Sequence, residues 1–331
     1  MSTHVWRAAL LGLAVTLVPL IAADAHEIAG NRLFPATLNV DDPGVNDELA
    51  VPTISAFKNG DDPSTKQLDF SGEYSKRITD AFAISVGSTW TRLSPSWMPS
   101  VSGFQNLETG FKYRLIKDPV RELIVSVGLN IEWGKTGSSR VGAEPFNTYT
   151  PTLFFGKGFG DLPDTASWLR PIAVTGQIGY AIPGRRSTTT FGVDSDTGDL
   201  AIDVERNPQV LVWGGSLQYS MLYLKSAVID LQLPDFINRL IPIVEASFQT
   251  PVANTLTSGT VTTGTINPGV IWIGNHFQVG VEAIIPINRQ SGTGVGVMGK
   301  LHLYLDNIDP HGIGKPFFGS ASQPTLPIPG R

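Results

Sequence analysis

The sequence predicts an all-β protein, an antiparallel transmembrane β-barrel of about twelve strands of the bacterial outer-membrane type. Three observations lead there. Long stretches alternate apolar and polar residues with a period of two, as strands with two unlike faces do. The turns between those stretches alternate between short and long. After the first 25 residues no apolar run is long enough for a spanning helix, so any insertion has to use strands.

Residues 1–25 read as a secretory signal peptide. Arg7 supplies the positive end, Ala8 to Ala22 the apolar run, and Ala23-Asp24-Ala25 the small-residue cleavage pattern. Removal of Arg7 and Asp24 together leaves the net charge of −5 unchanged. That mild acidity argues against a nucleic-acid partner, which calls for a basic patch. With no cysteine in the chain, disulfides and thiolate metal sites are excluded. Residues 26–49 have no clear period and form an N-terminal segment that either lies in the periplasm or folds into the barrel as a plug.

Residues 50–306 carry the barrel. The clearest hairpin runs from Phe104 to Trp133. Leu107, Thr109, Phe111, Tyr113 and Leu115 alternate with Glu108, Gly110, Lys112 and Arg114 in its first arm. Beyond the turn at Lys117-Asp118-Pro119, Leu123, Val125, Val127, Leu129 and Ile131 alternate with Ile124, Ser126, Gly128, Asn130 and Glu132. The apolar row faces lipid and the other row the interior, where a charge placed at Ser126 is tolerated if the lumen is wet. The twelve strands fall near 50–57, 67–77, 81–92, 104–115, 122–133, 147–159, 169–182, 207–220, 238–250, 264–273, 277–287 and 294–306. Ser/Thr/Gly-rich loops are expected at 93–103, 134–146, 183–206 and 251–263. The segment 221–237 is long for the periplasmic side and either extends its neighbouring strands or makes a short amphipathic turn. Residues 307–331, rich in proline and without alternation, form a periplasmic tail.

The inward rows offer Glu108, Lys112, Arg114, Asn130, Glu132, Gln177, Gln218, Glu245, Gln278, Glu282, Lys300 and His302 as candidate lumen-lining residues. Charges of both signs facing a barrel interior are expected to be solvated or paired, since unpaired burial is costly. Inward glycines such as Gly128, Gly156 and Gly280 permit curvature or leave room for a solute. Trp90, Trp133, Trp213 and Trp272 belong to the lipid-facing rows, while Phe154 faces inward. Of the five histidines only His302 faces the lumen, and no metal-ligand spacing occurs, so neither a metal nor any other cofactor is expected. A hydrolase would need His302 beside Ser216 or Ser247, but neither serine lies in a nucleophile elbow.

The chain resembles the outer-membrane transporters grouped as phenol meta-pathway degradation proteins. The likeness rests on Tyr113-Arg114-Leu115 with Lys117-Asp118, on Glu132-Trp133, on Leu301-His302-Leu303-Tyr304-Leu305-Asp306, and on Gly314-Lys315-Pro316-Phe317-Phe318-Gly319. The resemblance implies a barrel in the bacterial outer membrane and uptake of small hydrophobic or aromatic compounds, with no catalytic residues to carry over. One departure is the C-terminus, Arg331, where many such barrels end in an aromatic residue on the last strand. The expectations are therefore a passive channel with the lipid bilayer and a small solute as partners, or a non-conducting barrel that binds or stabilises the envelope. Oligomeric state is not legible.

Overall fold

The computed structural model describes residues 27–61, 63–193, 200–255 and 260–319. The expected signal peptide and the tail beyond Gly319 lie outside these residues.

Alternation becomes a closed ring. Its strands are β1 Glu48–Lys58, β2 Lys66–Thr79, β3 Phe82–Ser94, β4 Leu107–Asp118, β5 Leu123–Trp133 and β6 Thr148–Gly158. The second half is β7 Ile172–Pro183, β8 Gln209–Tyr219, β9 Leu240–Ala253, β10 Thr263–Ile273, β11 Phe277–Pro286 and β12 Gly296–Tyr304. Each strand pairs antiparallel with its neighbours in sequence, and β12 pairs with β1 to close the ring. A strand of eleven residues spans about 36 Å, enough to cross hydrocarbon even when tilted. Closure leaves no sheet edge, so the strands pair their backbones round the whole ring, interrupted only by local bulges such as that between Arg114 and Ile116.

The outward rows are those the alternation predicts. Leu115, Leu217 and Val281 are each more than half exposed, at 54%, 53% and 51%. Side chains this apolar, exposed all round a ring, form a lipid-facing belt rather than a soluble surface. Trp213 packs against Phe248 with ring centroids 4.4 Å apart, and Phe70 against Trp90 at 5.7 Å, both tilted, on that belt.

One rim carries Glu48 and Tyr304, the two ends of the ring, and is called the inner rim here. Its connections between β2 and β3 and between β10 and β11 are tight. The opposite, outer rim carries the longer loops, and two of these differ from expectation. Within 183–206 the chain forms a two-stranded hairpin, Ser187–Val193 with Leu200–Arg206. Val101–Phe104, in the expected loop 93–103, adds to the outer end of β3. Both are short β-rich runs that find a partner outside the twelve-strand count. At the inner rim, 221–237 does not extend its strands. It winds into helical turns at Met221–Tyr223, Leu224–Val228 and Asp235–Asn238, with Leu222, Tyr223 and Leu224 buried. The Ser220 hydroxyl accepts the Tyr223 N–H and so caps the first of these turns.

Candidate functional site

The interior of the ring is occupied by the chain's own N-terminal segment. Residues 27–47 enter at the inner rim, make a small hairpin of Ile28–Ala29 with Arg32–Leu33, climb to a turn at Leu38–Val40, and return to β1. Most of them are buried, and Gly30, Asn31 and Asp41 are exposed. Ile28, Leu33 and Leu38 join the inward Ile241, Ile243, Ile271 and Ile273 in one apolar cluster, capped by Leu222. Ala29 and Phe34 pack with Ile124 and Ala173 in a second. Inward glycines make room for it. A Cβ on Gly280 would stand 2.5 Å from the Leu38 side chain, and one on Gly156 would stand 2.9 Å from Pro43.

Polar contacts then fix the segment to the wall. The Glu245 carboxylate accepts the backbone N–H groups of Leu38, Asn39 and Val40 at 2.8, 2.6 and 2.8 Å. Gln278 donates to the Ala36 carbonyl, Lys300 to the Thr37 carbonyl at 2.8 Å, and Ser126 to the Pro43 carbonyl at 2.6 Å. The wholly buried Glu27 carboxylate meets Arg114 at 2.8 Å and takes the Val45 N–H at 3.0 Å. Lys112 reaches Asp41 at 2.9 Å and lies over the Phe154 ring. Beside it, burial pushes the Asp42 carboxyl up to about 7, with Lys112 opposing that shift and Glu48 and Asp41 adding to it.

The segment fills the ring unevenly. Its apolar side lies against β9 and β10, whereas its acidic turn faces β1 to β4 and β12 across open space. Cavities of about 50, 160 and 320 Å³ follow that side of the segment. All three share Glu73, and the two larger share Lys300. The smallest has room for a few water molecules and no more. Carboxylates outnumber cations along this side, with Asp41, Glu48, Asp69, Glu73 and Glu108 facing Lys112 and Lys300.

The twelve candidate residues therefore divide by partner. Lys112, Arg114, Glu245, Gln278 and Lys300 hold the N-terminal segment. Glu108 and Asn130 border the cavities without a hydrogen bond to it, as does His302, which pairs with Glu48 at 3.2 Å. Glu132 accepts from Asn106 at 2.8 Å, nearer the outer rim. Gln218 donates to Ser216 at 2.8 Å and is buried. Glu282 is buried and makes no hydrogen bond among the described residues. Gln177 takes the inward row of β7, between Thr175 and Gly179. Charge pairs thus run from wall to segment at Lys112 and Arg114 and from strand to strand at His302 and Glu48. Ser216 bonds Thr175 and Gln218 while His302 contacts Glu48 and Tyr304, so no hydrogen bond joins the two halves of the conceivable hydrolase pair.

Two anchors were missed in the sequence. Arg32 is buried against Glu122 at 3.2 Å and lies 3.9 Å over the Tyr223 ring. Its guanidinium also donates to the carbonyls of Pro171 and Arg170. Tyr223 donates to Glu122 at 2.9 Å, and burial with that bond holds its phenol up at about 12, so it stays a donor. Near the exit of the segment, Asp47 is held by Arg77 at 2.7 Å and Lys76 at 2.6 Å. Those two cations in turn donate to the carbonyls of Ile313, Gly314 and Lys315 in the tail. A signal for the whole arrangement was present: the inner ends of β9 and β10 are apolar on both faces, which a water-lined wall would not be.

Fold and interior together define a membrane-spanning barrel with its N-terminal segment lodged inside. No family model matches the chain, and no curated protein matches it, so the resemblance to the phenol meta-pathway proteins is not confirmed at family level. Among solved structures, the KdgM porin shares 12% identity over 77% of this chain and 98% of its own, with a TM-score of 0.44. An outer membrane channel from Pseudomonas putida F1 shares 11% over 82% and 99%, with a TM-score of 0.45. LpxR from Salmonella typhimurium shares 15% over 77% and 99%, with a TM-score of 0.38. Similarities at these scores decide nothing about the solute or the chemistry of this chain.

Proposed function

We propose that the protein is an outer-membrane channel for passive uptake of small compounds, held narrow at rest by residues 27–47. The observation that carries this reading is the line of cavities along β1 to β4 and β12. A barrel serving only as scaffold can fill its interior with its own side chains. Here one side is packed and the other is left polar and open. Small hydrophobic or aromatic compounds are the proposed class, on the strength of the sequence resemblance, and they would pass a wall rich in carboxylates. The narrowest cavity sets the limit, so larger solutes require the segment to shift.

A second reading, the non-conducting barrel, is favoured by the number of buried polar contacts that tie the segment in place. Flux separates the two. Proteoliposomes containing the intact chain or a variant lacking residues 27–46 would be compared for uptake of a labelled aromatic compound and a labelled aliphatic of similar size. The channel reading expects flux above empty vesicles for the intact chain and a rise on deletion. Flux equal to that of empty vesicles for both, with heat-modifiable migration showing both folded, supports the non-conducting barrel.

A further inference from the structure

At the outer end of β1, β2 and β3, three cations share one outward-facing patch. Lys58 is directly opposite Lys66 across the β1–β2 pair. Lys66 pairs with Ser94 on β3, which places Arg92, two residues back, on its diagonal. All three side chains are exposed, and none forms an ion pair among the described residues. The arrangement has a cost, because like charges directly opposite on a sheet repel.

The surroundings suit one kind of ligand. A surface recess of about 570 Å³ lies among Lys58, Lys66, Leu68, Arg92 and Val295. Its floor is firm, since the Lys58 carbonyl accepts the Thr293 N–H at 3.1 Å and so ties the end of β1 to the last loop. Next inward come Leu68, then Phe70 against Trp90, on the same outward rows. Four residues of strand separate Lys66 from Phe70, or about 13 Å. The cations therefore stand where the apolar belt ends and headgroups begin. A water-soluble anion would gain nothing from that belt, and a neutral lipid nothing from the three charges.

We infer that Lys58, Lys66 and Arg92 dock the phosphate headgroup of an anionic lipid whose acyl chains lie along Leu68, Phe70 and Trp90. The inference rests on the outer rim lying in the outer leaflet, as in the channel reading, but not on conduction. Bound phosphate would also relieve the repulsion between Lys58 and Lys66.

The test uses the full-length protein purified in neutral detergent and native mass spectrometry of retained lipid. The probes are a diacylglycerol phosphate, the diacylglycerol with the same chains, and inorganic phosphate as competitor. The K58Q/K66Q/R92Q variant is compared with wild type and with a charge-matched variant, R121Q/K157Q/K225Q, altered at the inner rim. With each cation near the membrane surface worth about fivefold in affinity, the outer-rim variant should hold the phosphorylated lipid about a hundredfold less tightly. The inner-rim variant should match wild type, diacylglycerol should be held weakly by all three, and millimolar phosphate should not displace the lipid. Equal retention by wild type and the outer-rim variant overturns the proposal. So does diacylglycerol held as tightly as its phosphate, or full displacement by inorganic phosphate. Heat-modifiable migration confirms that each variant is folded. Solute flux through the outer-rim variant stays at the wild-type level, so a failed uptake assay leaves this result standing.

Discussion

The Glu245 carboxylate accepts the Val40 backbone N–H at 2.8 Å, together with those of Leu38 and Asn39, from a strand more than two hundred residues away. Three successive amides converging on one buried carboxylate make the top of the N-terminal turn its best-held point. Hydrogen bonds to a charged group contribute more than neutral ones, and buried donors left without a partner are costly. Replacing Glu245 by Ala strands all three. Docking of the segment should weaken by about 2–5 kcal/mol. Amide hydrogen exchange of residues 36–42 should accelerate accordingly, and solute flux should rise, while heat-modifiable migration stays unchanged. Unaltered exchange in that window would show that the turn is held by its apolar contacts alone.

Arg32 and Glu122 hold the base of the segment by different means. Both are buried, and Arg32 is further engaged by Tyr223 and two carbonyls. Removing one member of such a pair leaves the other charge uncompensated, a cost of about 3–5 kcal/mol. Arg32→Met alone should therefore destabilise docking more than Arg32→Met with Glu122→Gln. Urea titration of segment release, read by a fluorophore at the exposed residue 31, gives the comparison. A double variant no more stable than the single would mean that Glu122 is not stranded by loss of Arg32.

Facing of the central hairpin was legible and wetness of its inward row was not. Val127 is 37% exposed on the lipid side, and Arg in its place should cost about 2–4 kcal/mol near the bilayer midplane. Ser126, one residue earlier, looked from the sequence like a tolerant inward site. It is instead fully buried beneath Pro43, to whose carbonyl it donates. Asn130, on the same inward row and beside a cavity, is the proper contrast. Asn130→Arg should fold as wild type does, and both Val127→Arg and Ser126→Arg should lower the yield of folded barrel. Equal loss at Asn130 and Val127 would mean that this part of the interior is dry.

The same comparison shows why the sequence stopped where it did. Strands declare themselves through a period of two, because lipid and interior impose opposite demands on neighbouring residues. Residues 27–47 obey no period, since they meet apolar wall on one side and polar cavities on the other, and each side chain answers a different neighbour. Their position could be reached only through complementarity at a distance: Leu38 against Gly280, Pro43 against Gly156, Glu27 against Arg114. The candidate list of inward residues came from the row alone and named no partner, because register fixes which face a side chain takes and not what fills the space opposite.

Asp42 gives the segment a pH dependence. Its buried carboxyl is pushed up to about 7, mainly by loss of water, and Lys112 offsets only part of that. In the undocked chain the group returns to its ordinary value of 3.8. A docked value above the undocked one means that docking favours the protonated form. The contribution is fully present below about pH 4 and is lost as pH rises through 7. The segment should therefore sit more firmly at pH 5 than at pH 8. Hydrogen exchange of residues 38–45, corrected for the intrinsic rate at each pH, should show a lower opening free energy at pH 8. Asp42→Asn removes the titrating proton while keeping an acceptor for the Gly44 N–H, which the carboxylate now binds at 2.7 Å. In that variant the opening free energy should be flat across the range. If the slope persists in Asp42→Asn, another buried group governs it; if wild type shows no slope, Lys112 compensates Asp42 in full.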